Sequence, residues 1–217
     1  MRSQRLAPGD GSLSDWVHHQ LSQLILNGEI EPGQPLREVA IAEQFGTSRV
    51  PVREAIHRLA EQGWAERVPG AGVRVRVPTA KDINDLFDVR LPLELEAVRL
   101  AVARISLANS EPIRDLIATA HRCADSGDES GLSDANRLFH TALAGLSDNQ
   151  LLSDLLGTLE LRAQWMLRSA LHEDPRQGIA EHEEILEAVL AHDTARAKRL
   201  MRAHLVRTRR EFHHLSS

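Results

Sequence analysis

Apolar residues at Leu13, Val17, Leu21, Leu24 and Ile25 recur at steps of three and four, so LSDWVHHQLSQLILNGEI predicts an amphipathic helix that Asn27-Gly28 ends. EPGQPL reads as a turn from its Pro-Gly and its second proline. A short helix then runs from about Glu38 to Phe45, Gly46 suits the position just past its end, and Thr47 makes the link. Ser48 can cap a further helix that reaches about Gln62 before Gly63. Two short helices joined by a tight glycine-containing turn make a helix-turn-helix.

After Gly63 the period changes from helical to alternating. In WAERVPGAGVRVRVP the residues Val73, Val75 and Val77 fall on one side and Arg74 and Arg76 on the other, which predicts a small β-hairpin with a Pro-Gly-Ala-Gly tip. Pro78-Thr79 reads as a linker between domains 1–78 and 79–217. From Lys81 onward the pattern is helical, broken near 107–111, 126–131, 147–149, 173–178 and 191–194, so six antiparallel helices are expected. The fold class is therefore mainly α: a winged helix-turn-helix with a small hairpin, then an all-α six-helix bundle.

Composition narrows the function less than its distribution does. The 217 residues are 42% hydrophobic and 26% charged, an ordinary composition for a soluble chain with a sizeable core. No apolar run approaches the ~18–20 residues that span a bilayer, and MRSQRLAPGDGS lacks the apolar stretch of a signal peptide. A cytoplasmic protein with no membrane partner is expected. The single cysteine, Cys123, excludes an internal disulfide and a multi-cysteine zinc module, and reads as a small buried residue. The net charge of −5 hides a segment, residues 48–77, with six arginines against three glutamates. A basic patch therefore sits on an acidic protein.

Within SRVPVREAIHRLAEQG, Arg49 and Arg53 are four apart and share one helix face, while Val52, Ile56 and Leu59 form the inward stripe. An arginine fork near the start of a recognition helix can bond guanine O6 and N7 in the major groove, and Ser48 with the helix N-terminus can hold a phosphate. Arg74 and Arg76 would lie along the backbone or minor groove as a wing. Residues 13–78, and above all the SR-x-PVREA-x-x-RL core, resemble the winged helix-turn-helix of GntR-type bacterial regulators. That resemblance implies DNA contacts at Ser48, Arg49, Val50, Pro51 and Arg53, with Gly70 at the wing tip. Arg37, just before the first of the two helices, is a further candidate for a phosphate contact. Thr47 stands where the family has a small apolar residue.

The histidines carry the second constellation. Eight of the eleven lie after residue 120. His182 shares the stripe of Ile185, Leu186 and Val189; His204 follows Leu200 and Met201 by four and three; His140 shares a face with Leu143, Ala144 and, one turn earlier, Asn136. Asp134 is six residues from His140, about 240° around a helix, so it points elsewhere and reads as a first-turn acid. His172, His192 and the His213-His214 pair fall at loops or ends, and His121 is left as a pocket or surface residue. Three imidazoles and an amide oxygen facing inward suit Zn²⁺, or Ni²⁺ as another borderline divalent ion. Arg90 would add a bidentate clasp for a carboxylate if its helix turns it inward, and otherwise forms a surface pair with Glu94.

Residues 81–215 resemble the FCD effector-binding domain of the FadR subfamily. The landmarks are Arg90 with Glu94, Phe139-His140 followed by Asn149, the run Glu181 to Ala188, and His204; six helices suggest the VanR-like group. In that family an aspartate usually occupies the place of Asn136, so the resemblance implies a site one negative charge short. The expected function is a repressor that binds a near-palindromic operator as a homodimer and responds to a small carboxylate effector. A DNA-binding metal sensor and a metallohydrolase stand as rivals; HEEI at 182–185 lacks the H-E-x-x-H spacing the latter would need.

Overall fold

The computed structural model describes residues 12–167 and 175–215, and the chain divides into two compact units, Met1–Pro78 and Thr79–Ser217.

In the first unit, α1 (Leu13–Leu26) opens on a capping box in which the Ser12 hydroxyl accepts from the Asp15 amide and the Asp15 carboxylate accepts from the Ser12 amide. Its buried stripe, Val17, Leu21 and Ile25, packs against the Val52, Ile56 and Leu59 stripe of α3 (Arg49–Glu61). Each such side chain, fully buried, contributes roughly 1.5–3 kcal/mol. Between them α2 (Glu38–Phe45) ends at Gly46, whose φ of +63° is the left-handed conformation that a helix stop requires.

The hairpin pairs β1 (Ala65–Val68) with β2 (Gly72–Val75) antiparallel, Ala65 opposite Val75 and Val68 opposite Gly72. Val75 is buried and Val73 half-buried, but Val77 is exposed because β2 ends before it. The EPGQPL segment is more than a turn. Gly33 and Leu36 donate their amides to the carbonyls of Val75 and Val73 at 2.9 and 2.8 Å, and the Gln34 carbonyl accepts from Val75, so this stretch lies along β2 as a third line of chain.

The second unit consists, among the described residues, of six helices: α4 (Ala80–Val102), α5 (Leu107–Ser126), α6 (Glu129–Gly145), α7 (Gln150–Leu167), α8 (Pro175–Leu190) and α9 (Thr194–Leu215). α4 touches α6, α7, α8 and α9, so residues on its inward face meet side chains from across the bundle. Phe87, Phe139, Leu143, Leu156, Ile185, Met201 and Leu205 fill the centre.

α8 begins at Pro175, inside the break expected at 173–178, and two further boundaries differ because a cap outweighs loop-like composition. The break expected at 107–111 lies earlier, at 103–106, where Ser106 and Asn109 form a capping box and Pro112 is accommodated inside α5. α6 begins at Glu129, capped by the Asp128 side chain bonding the Gly131 amide, so Asp134 is not a first-turn acid. It accepts a hydrogen bond from Gln164 at 2.8 Å instead. Cys123 is only half-buried, with its thiol 3.8 Å from Asp128. No described helix is long and apolar enough to cross a membrane.

Candidate functional site

The candidate DNA-reading surface lies at the start of α3. Ser48 takes the N-cap position, yet its hydroxyl makes no capping bond, so that hydroxyl and the first-turn amides are left to an outside acceptor. Arg49, Val50 and Arg53 are exposed, Val50 at 62%, beside the buried stripe of Val52, Ile56 and Leu59. Pro51 is different: it is buried, in a first turn where its missing N–H costs nothing, and it fixes the helix entry rather than presenting a side chain. Arg37 is exposed at the N-cap of α2 and makes no capping bond there. Gly70 sits at the hairpin tip with φ +74°, a backbone requirement, since a β-carbon there would meet nothing within 4 Å. Arg74 is exposed but engaged across the hairpin by Glu66, its Nε donating to Oε1 at 2.7 Å.

Sequence reasoning missed Glu38. The Arg53 Nε and Nη2 donate to its two oxygens at 3.0 and 3.1 Å, and Arg49 Nη2 donates to Oε2 at 3.2 Å. Nothing in the spacing from 38 to 49 and 53 announces this, because the turn between α2 and α3 decides it.

The histidine cluster is assembled from α6, α8 and α9. His140, His182 and His204 are all buried, and one ring nitrogen from each lies within 4.8 Å of those of the other two. His182 Nε2 and His204 Nε2 are 3.3 Å apart. Two ligands at about 2.1 Å from one tetrahedral or octahedral ion would be about 3.0–3.4 Å apart, so this spacing fits a shared metal. The His204 Nδ1 donates to Glu181 at 2.6 Å, which turns the Nε2 lone pair inward, and Arg207 grips both Glu181 oxygens at 2.6 Å each. Phe139 stacks on His182 with ring centroids 4.0 Å apart and 13° between planes. One turn before His140, the Asn136 Oδ1 is buried and has no hydrogen-bond partner. A buried carbonyl oxygen without a donor is a costly arrangement that a cation would relieve.

His121 and His192, the other described histidines of the second unit, have partners elsewhere. His121 bonds Glu183 at 2.9 Å on the surface, and His192, in the turn after α8, has its Nδ1 2.7 Å from the Val102 carbonyl. His172 lies outside the described residues, as do the side chains of His213 and His214.

Arg90 does turn inward, but its guanidinium is not open. It is 3% exposed, its Nε lies 2.5 Å from Glu160 Oε1 and 3.4 Å from Glu94 Oε1, and its Nη2 donates to Glu160 Oε2 at 3.0 Å. The pair with Glu94 is thus a core contact instead of a surface one, and Glu160 on α7 is a partner the sequence did not indicate. Glu94 Oε1 also sits 2.9 Å from His140 Nδ1, an ion-pair distance outside hydrogen-bond geometry, which joins the acidic group to the histidines.

Burial sets the charge states. It drives His140 down to about 3 and His204, against the pull of Glu181, to about 4; His182 is held well below the ordinary imidazole range for the same reason. All three rings are therefore neutral lone-pair donors at neutral pH, the form a metal requires. Burial raises Glu94 and pushes Glu160 up to about 7. Burial also works against ionisation at Glu181, but the hydrogen bonds from His204 and Arg207 prevail and hold it at about 2.

Comparison with known proteins agrees with both halves. Residues 13–75 match the family described as bacterial regulatory proteins, gntR family, and residues 85–207 match the FCD domain. A relative from Paenarthrobacter nicotinovorans, named "Probable D-xylose utilization operon transcriptional repressor", is 31% identical over 83% of this chain and 80% of its own. The "HTH-type transcriptional repressor GlaR" of Escherichia coli (strain K12) is 31% identical over 84% of this chain and 87% of its own. Among solved structures, E. coli McbR/YncC superposes with a TM-score of 0.80 at 25% identity, covering 95% of this chain and all (100%) of that one.

Proposed function

Because the chain belongs to the GntR family of bacterial regulatory proteins, with an FCD domain, and is a DNA-binding transcription regulator, we propose that it is a cytoplasmic repressor released from its operator by a small carboxylate. It is not an enzyme; its families and relatives are regulators, which removes the metallohydrolase reading.

The observation that carries the effector half is the convergence of three buried neutral imidazoles, with the buried, unpartnered Asn136 Oδ1 one turn before His140. His140, His182, His204 and Asn136 would hold a divalent ion, Zn²⁺ or Ni²⁺, whose charge and open positions would attract an anionic oxygen. Arg90 is the second anchor in this reading. Its guanidinium already binds the Glu160 carboxylate, so an effector carboxylate can exchange with Glu160 on the same fork, with the displaced, buried Glu160 taking up a proton to keep the local charge. Exchange would free α7 from α4 at that point and so favour one bundle arrangement over another, and only such discrimination can shift DNA affinity. A homodimer supplies the two recognition helices that a near-palindromic operator requires.

The test is a fluorescence-anisotropy titration of the full chain on DNA from its own upstream region, with Zn²⁺, Ni²⁺ and a panel of small carboxylic acids added separately and together. Release by a carboxylate only in the metal-loaded protein supports the reading; a panel that leaves affinity unchanged sinks the effector half. The neutral Asn136 ligand favours one second reading, a metal sensor, in which metal alone moves operator affinity.

A further inference from the structure

The DNA-reading arginines are not free in this head: Glu38, the first residue of α2, holds them both. Arg53 meets it side-on, through Nε and Nη2, and Arg49 reaches the same Oε2 through Nη2. The side-on grip has a directional consequence. A guanidinium is a rigid planar fork of five N–H groups, and when the Nε/Nη2 edge is taken by a carboxylate, the Nη1/Nη2 edge points away from it. That outer edge is the one that bonds guanine O6 and N7 bidentately. Arg53 is 54% exposed and Arg49 59%, whereas Glu38 is 28% exposed, so the carboxylate lies behind the arginines as seen from solvent. The bonds from Arg53 hold the Glu38 carboxyl below its usual range, which keeps the grip charged at neutral pH.

We infer that Glu38 is a specificity-determining positioning residue, which buttresses Arg53 in the orientation that reads bases, ties Arg49 beside it, and withholds part of their charge from phosphates. Two effects follow from one side chain. Aiming the fork before binding favours the operator, where the outer edge finds its guanine. Placing a negative charge behind the arginines weakens binding to DNA that offers only phosphates. Both raise the ratio of operator to non-operator affinity. The inference rests on Arg49 and Arg53 being the reading residues.

The experiment compares wild type, E38Q, E38D and R53A as full-length chains on two duplexes: an operator selected from a random pool by the wild-type protein, and a scrambled duplex of the same length and composition. E38Q removes the charge and is expected to tighten scrambled-DNA binding, steepen its salt dependence by about one counterion, and lower the operator-to-scrambled ratio by about tenfold. E38D keeps the charge but shortens the reach, so it is expected to weaken operator binding while scrambled DNA binds as to wild type. R53A separates the two levels. If R53A leaves the operator-to-scrambled ratio unchanged, the reading role of the arginine fails; if R53A lowers that ratio while E38Q and E38D both keep the wild-type ratio, the role of Glu38 is overturned. Thermal melts matched to wild type identify the variants compared, and either Glu38 variant suffices for the decision.

Discussion

Glu181 Oε2 accepts a hydrogen bond from His204 Nδ1 at 2.6 Å, and it can do so because Arg207 holds the same carboxylate from the other side. The carboxylate fixes both the tautomer and the plane of the imidazole. E181Q is expected to reduce Zn²⁺ affinity by about 10–100-fold, the usual effect of losing an outer partner of a metal-bound histidine. Competition against a chromogenic chelator measures it, and an unchanged affinity would remove Glu181 from the site.

Asn136 offers a test in the opposite direction. Its Oδ1 is buried and unpartnered, and an aspartate in its place would supply the negative charge that the amide lacks. N136D is expected to bind divalent metal more tightly and release it to chelator more slowly, whereas N136A should bind less than wild type. If all three proteins exchange metal alike, the amide is not a ligand.

Acid should weaken the metal-free protein, and the sign follows from the buried rings. His140 and His204 have folded values of about 3 and about 4 against about 6.5 unfolded, so between these limits the unfolded chain binds more protons and stability falls as pH falls. Glu160, raised to about 7, acts oppositely: its stabilising share is present below the unfolded carboxyl value and lost as pH rises through 7. Three depressed imidazoles outnumber two raised carboxyls, so the net slope between pH 6.5 and 4 should be positive, with each unmatched proton worth about 1.4 kcal/mol per pH unit. Urea unfolding of chelator-treated protein across that range checks it; E160Q should make the slope steeper.

Phe139 joins the core to the cluster. It is 1% exposed and stacked on His182, so F139A removes both a packed ring and the wall that fixes the imidazole. A loss of about 3–5 kcal/mol in unfolding free energy is expected. F139L should recover most of the stability in the same denaturation experiment but not the metal affinity, since an aliphatic side chain packs without stacking.

Ser48 separates a structural from a recognition role in one substitution. Replacing a serine N-cap by alanine typically costs about 1 kcal/mol, but the Ser48 hydroxyl makes no capping bond. S48A is therefore expected to melt within about 0.5 kcal/mol of wild type while losing operator affinity. A normal capping penalty with unchanged DNA binding would reverse the assignment.

Much of this architecture can be read from the chain because it is local. Val17, Leu21 and Ile25 announce a buried helix face, and the register of His182 and His204 among Ile185, Leu186 and Met201 forces both rings inward. The residues that escaped notice are those whose partners lie far along the chain. Glu160 is one acid in the run LGTLELRA, and only the packing of α7 on α4 brings it to Arg90, seventy positions away (70). Glu38 meets Arg49 and Arg53 across a turn whose angle no periodicity encodes. The chain beside β2 at Gly33–Leu36 was hidden by its own Gly and Pro, which read as a turn and nothing more.

The pairing of Arg90 with both Glu94 and Glu160 also bears on electroneutrality. Three neutral imidazoles and an amide bring no charge to a divalent cation, so its compensation must come from neighbours. Burial raises both Glu94 and Glu160, so each is easily protonated in the metal-free bundle, and a cation beside them would favour their ionised forms and draw its compensation from that pair.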